Sequence, residues 1–168
     1  LLNNYVSNGG GVIFTGGNVD NLAGLIPGAD AMHNDSGLKD FDAAEGYNAN
    51  HPITDDISGT LILKSVNVWN KSILASDPDV VPLVQFDDDN GEYLNQYASD
   101  LVAFAKKVGE GRVVVIGHNF DQWNISGSQG GLLLANAVNW ATSEFNWLGG
   151  GGLPDTSVVL SYNASANY

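Results

Sequence analysis

The segment Gly9 to Gly17, GGGVIFTGG, constrains the fold more than any other stretch of the chain. Val12 to Thr15 shows no polar alternation, so a strand here is covered on both faces. A strand of that kind needs a packed layer on each side, which points to an α/β architecture. The five glycines around it suggest a phosphate cradle as an alternative. The dinucleotide fingerprint, however, places its glycines after the strand and at the start of a helix, and GGNVDN lacks that spacing. No GKS or GKT follows. The glycines are therefore expected to bracket a buried strand, those before it capping a helix and those after it making a turn.

The rest of the chain fits around that strand. Leu2, Tyr5 and Val6 follow the helical period in a short helix over Leu1 to Asn8. Val19 to Ile26 is expected to be another short helix, stopped by Pro27 and Gly28. Ala29 to Asn50 is polar and irregular, a long loop. Strands are expected from Leu61 to Leu63, weakly from Val66 to Trp69, and clearly from Val80 to Phe86. Leu101 to Lys106 and Arg112 to Gly117 flank VGEG, whose glycines suit a tight hairpin. Gly130 to Trp140, GLLLANAVNWA, is too apolar for a surface helix and must lie on a sheet. The sum is a three-layer α/β sandwich with a mixed sheet.

Both ends look like interior sequence. The chain starts within a helical turn, and SEFNWLGGGGLPDTS after the last helix reads as a linker. SVVLSYNASANY then reads as a strand that stops without a partner. The expected organisation is an α/β domain over 1–145, a Gly/Pro linker over 146–156, and the first strand of a following β domain, of β-sandwich type, over 157–168.

Charge and composition narrow the partners. Nineteen acidic against six basic residues leave a net charge of −13, which disfavours nucleic acid and anionic lipid. No apolar run reaches the roughly 20 residues of a membrane helix. The expected setting is extracellular or secreted. Cysteine is absent, which removes disulfides, thiolate metal sites and thiol nucleophiles.

YVSNGGGVIFTGG, NHPIT, GEGRVVVIGHN and LLLANAVNWA, in that order, resemble the class I glutamine amidotransferase-like superfamily, most nearly its trehalose-utilisation-like branch and related domains of larger secreted bacterial proteins. The resemblance covers Leu1 to Trp140. It implies a flavodoxin-like sheet flanked by helices, with the first strand and helix of that fold preceding Leu1. It also implies a catalytic cysteine on a strand-to-helix elbow, which this chain lacks. A serine substitute would need G-x-S-x-G, and SGSQGG sets Ser126 and Ser128 in the wrong register. The fold carries over and the chemistry does not.

Candidate ligand-binding residues remain. His118 follows a buried strand where α/β folds bind ligands, with Asn119 and Asp121 beside it. His51 precedes Pro52 and is held extended. Trp123, an indole in a polar loop, is the residue expected to touch a partner, with carbohydrate as the ligand class it would stack on. The acidic turn containing Asp87, Asp88 and Asp89 is a weak calcium candidate, because aligning Gly91 with the calcium-loop glycine puts Phe86 in the first ligand position. No histidine spacing suits a transition metal, and no cofactor is expected.

Three functions stay open: a non-catalytic structural or recognition module of a larger secreted protein; a subunit of an extracellular assembly completed by strand addition; and a sugar-processing hydrolase with a pocket near His51 and His118. The partners are accordingly other domains of the same polypeptide or identical subunits.

Overall fold

The structure, a computed structural model, describes residues 1–16, 22–29, 32–33, 40–42, 48–58, 61–64, 66–86, 99–118, 120, 129–142 and 159–161. In chain order its elements are α1 (Leu2–Ser7), β1 (Gly11–Thr15), β2 (Met32–His33), β3 (Asp40–Asp42), a 3₁₀ turn (Pro52–Thr54), β4 (Ile62–Lys64), β5 (Val68–Trp69), α2 (Ile73–Ser76), β6 (Val81–Gln85), β7 (Leu101–Val108), β8 (Gly111–Ile116), α3 (Gln129–Thr142) and β9 (Val159–Ser161).

The sheet is mixed. Its main order is β6-β7-β8-β1-β9, with β7 antiparallel to both neighbours and β8, β1 and β9 parallel. Leu101 pairs with Gln85 of β6 and with Trp69 of β5, so β5 takes over the edge of β7 where β8 stops. β2 extends β5 outward, and β3 with β4 forms a separate two-stranded ribbon.

Alternation along the strands divides the core into two layers. Ile13, Val114, Ile116, Ala103 and Ala105 face α3, where they pack with Leu133, Ala137 and Ala141. Val12, Phe14, Val113, Val115 and Phe104 face the other way, toward Val6, Leu22, Ile26 and Ile73. β1 and β8 are buried along their whole length, as an apolar run between two helical layers must be.

The glycines of the opening segment act as cap, contact and turn. Gly9 has φ 104°, its N–H bonds the carbonyl of Val6 at 2.9 Å, and the Gly10 N–H bonds Tyr5 at 3.0 Å. This is the Schellman pattern, and it ends α1. Gly11 starts β1 under the backbone carbonyl of Ala141, where a Cβ would collide, so the end of α3 stands over the start of β1. At the hairpin, Val108 pairs with Gly111, and Gly109 holds φ +61° at the first turn position. A two-residue loop with glycine there matches the strand twist.

Three expectations change. Of the helix expected over Val19 to Ile26, residues 19–21 lie outside the described residues and 22–26 form hydrogen-bonded turns (Leu25 and Ile26 N–H to the Leu22 carbonyl, 2.9 and 2.8 Å), followed by Gly28 at φ +84°. The span from Ala29 to Asn50, expected as loop throughout, contains β2 and β3. Finally, the strand expected to lack a partner has one: β9 lies parallel to β1, with Val12 opposite Val159 and Phe14 opposite Ser161. The chain leaves β8, passes through α3 on one face of the sheet and returns beyond β1, the crossover that parallel strands require.

Candidate functional site

The connections that follow β1 and β8 leave these neighbouring parallel strands toward opposite faces. Residues 22–29 after β1 join the Val6 layer, and α3 after β8 joins the other. Diverging connections open a crevice beyond the carboxyl ends of the strands, where open α/β sheets bind ligands.

The described residues at that crevice are held together by backbone. The Gly16 N–H, at φ +68°, points at the carbonyls of Ile116 (3.0 Å) and His118 (3.1 Å), tying the ends of β1 and β8. His118 forms an antiparallel bridge with Val66, and Asn67 donates from its backbone to the Gly117 carbonyl at 2.8 Å. Gly117 has no room for a side chain, since a Cβ would strike the Asn67 carbonyl. His118 is 3% exposed, and its ring meets Phe120 edge-on at 4.7 Å. The Oε1 atom of Gln129 at the start of α3 is buried with no hydrogen-bond partner among the described residues.

His51 is elsewhere. It caps the 3₁₀ turn: its Nδ1 accepts the Ile53 N–H at 3.2 Å, with its backbone extended at φ −108°, ψ 137° as expected before proline. An accepting Nδ1 puts the proton of the neutral ring on Nε2. The ring leans on Trp140 of α3, centroids 5.2 Å apart. On Trp140 also rests the guanidinium of Arg112, 4.7 Å from the ring centroid, and Arg112 donates from one terminal nitrogen to the Trp140 carbonyl. This charge-assisted bond serves a carbonyl of the last turn of α3, where the helix dipole favours a cation. Burial, with Arg112 adding to it, holds His51 below the ordinary histidine range.

Arg112 is the second residue of β8 and His118 lies just beyond its far end. At about 3.3 Å per residue the two stand about 20 Å apart along the strand. The two histidines grouped at the sequence level into one pocket thus occupy opposite ends of the sheet, because residues six apart on a straight strand cannot converge.

Asn119, Asp121 and Trp123 lie outside the described residues, as do Asp87, Asp88 and Asp89. Trp69 is fully buried, its Nε1 donating to the Ala29 carbonyl at 3.1 Å, and so has no face for a sugar. Among the described residues no three His, Asp or Glu side chains cluster as metal ligands. Sequence reasoning missed Arg112, Gln129 and Asn67. Arg112 was within reach of it: it shares strand parity with Val114 and Ile116, and therefore their face toward α3.

No protein-family model matches the chain, and no curated protein does. Among solved structures, a ThuA-like protein from Bacteroides uniformis aligns with a TM-score of 0.59 at 20% identity, over 85% of this chain and 62% of that one. A cytoplasmic protein from Salmonella typhimurium aligns more loosely, with a TM-score of 0.44 at 14% identity, over 83% and 58%. The chain thus spans about 62% of the length of the ThuA-like protein. The crossover of β8, α3 and β9, the two-layered core and this likeness together identify the chain's fold as flavodoxin-like, of the kind found in ThuA-like proteins.

Proposed function

We propose that the chain is a non-catalytic structural or recognition module of a larger, secreted protein. One observation carries the reading. At the carboxyl end of β8, where this fold would place a reacting group, backbone bonds through Gly16 tie β8 to β1, and His118 is buried against Phe120. The chain also supplies no cysteine to serve as a nucleophile. A histidine acting as general base must reach the proton it abstracts, and a buried ring whose backbone bridges two strands is suited to fixing their ends. The net charge of −13 supports an extracellular setting and partners other than nucleic acid. Since β9 belongs to this sheet, residues 146–156 join α3 to β9 within the module, and any connection to other domains of the same polypeptide would lie outside that crossover.

The test is turnover. Wild type and His118→Ala are assayed against amide, ester and glycoside substrates; the reading expects no activity above blank in either. A turnover present in wild type and lost in His118→Ala would overturn it.

A second reading, assembly by strand addition, would require β9 to exchange its own β1 for that of an identical subunit. So short a strand has only three residues of pairing to give up in such an exchange. Light scattering of wild type and of a variant lacking residues 157–168 separates the two: only the second reading expects an oligomer that the deletion dissolves.

A further inference from the structure

We propose that His51 is an acid-released latch that holds residues 48–57 against α3. The segment is fastened at several points. Asn48 donates from its backbone to the Leu83 carbonyl at 2.9 Å, Thr54 donates to the His51 carbonyl at 3.0 Å, and the Asn136 side chain of α3 donates to the Asp55 carbonyl at 2.9 Å. Together these seat Ile53, fully buried, and Ile57 in the core layer under α3.

His51 is the titratable member of the set, and it joins the two elements. Its Nδ1 lone pair satisfies the first free N–H of the 3₁₀ turn, and its ring lies against Trp140. Protonation puts a hydrogen on Nδ1, so the Ile53 N–H loses its acceptor and faces a donor. The new positive charge also meets the Arg112 guanidinium, which shares Trp140 with it. α3 carries no Asp, Glu, Lys or Arg to offset this. Asp55 and Asp56 on the turn itself are exposed, where solvent screens their attraction. Both losses fall on the contact between turn and helix. Acid therefore opens this seam.

The test compares amide exchange at Ile53 in wild type and in His51→Asn. Asparagine presents an accepting oxygen near the position of Nδ1 and does not titrate. After correction for the intrinsic pH dependence of exchange, wild-type protection at Ile53 is expected to fall by up to ~10-fold per pH unit between the closed and open pKa of His51. His51→Asn is expected to show no such fall. Equal pH profiles at Ile53 in the two proteins would overturn the proposal. If the variant does not fold, the wild-type ¹⁵N shifts of His51 decide: a neutral Nε2–H tautomer at pH 7.5 that protonates together with loss of Ile53 protection supports the latch. A ring already charged at that pH, or carrying its proton on Nδ1, contradicts it.

Discussion

Removing the ammonium of Lys106 offers a quantitative check on the packing of this domain. Lys106 on β7 bonds the Asp77 carboxylate at the end of α2, and the two side chains are 14% and 5% exposed. In Lys106→Met the aliphatic stem stays and the charge goes. Asp77 keeps one bond, accepted from the Asp79 N–H at 3.3 Å, and is otherwise a buried carboxylate without a counterion. Breaking a buried pair from one side costs about 3–5 kcal/mol. Because Lys106 is partly solvated, the low end applies, and we expect a loss of about 3 kcal/mol. For a chain of 168 residues that lowers Tm by about 6–12 °C. Adding Asp77→Asn removes the stranded charge while keeping an acceptor for Asp79, so the double variant should return to within about 1 kcal/mol of wild type. Urea unfolding of the four proteins gives the coupling directly. A single-variant loss below about 1 kcal/mol, with no recovery in the double variant, would show that water reaches the pair and that the α2 end is not packed as described.

The remaining predictions probe separate joints of the fold. Gly111→Ala should cost more than about 2 kcal/mol by denaturant unfolding, since its Cβ would meet the carbonyls of Val6 and Gly10. Arg112→Met should move the His51 titration up toward the ordinary histidine value, read by NMR, because the second cause of its depression is gone while burial remains. A pKa lowered by folding means that the unfolded chain binds the proton more tightly. The His51 contribution to stability is therefore complete above the unfolded pKa and is lost as pH falls through the folded one, and unfolding at pH 7.5 and 5 should show that direction. Alternate residues of an edge strand turn their N–H toward the neighbour. Of Val159→Pro and Leu160→Pro, one should therefore cost at least about 1 kcal/mol by the same assay, and two unaffected proteins would remove β9 from the sheet.

What could be foreseen from the residues followed from local pattern. The unbroken apolar runs at 12–15 and 113–116 required cover on both faces, and the structure provides two layers. VGEG gave the β7–β8 hairpin because glycine at a positive φ is a local requirement. The greasy face of α3 gave its place on the sheet. Pairings distant along the chain were not legible: nothing in Val12 to Phe14 or Val159 to Ser161 states that they adjoin. The separation of His51 from His118 was likewise invisible, since it depends on which end of β8 each connection reaches. Arg112 shows the middle case, where charge alone suggested the surface and strand parity pointed inward.

The central claim, a module of a larger secreted protein, is tested most directly by the intact mass of the protein isolated from its source, with peptide mapping of both ends and of the culture medium. The account predicts a secreted polypeptide far heavier than the 17.7 kDa of this chain, carrying sequence beyond Tyr168. An intracellular protein of 17.7 kDa would contradict it.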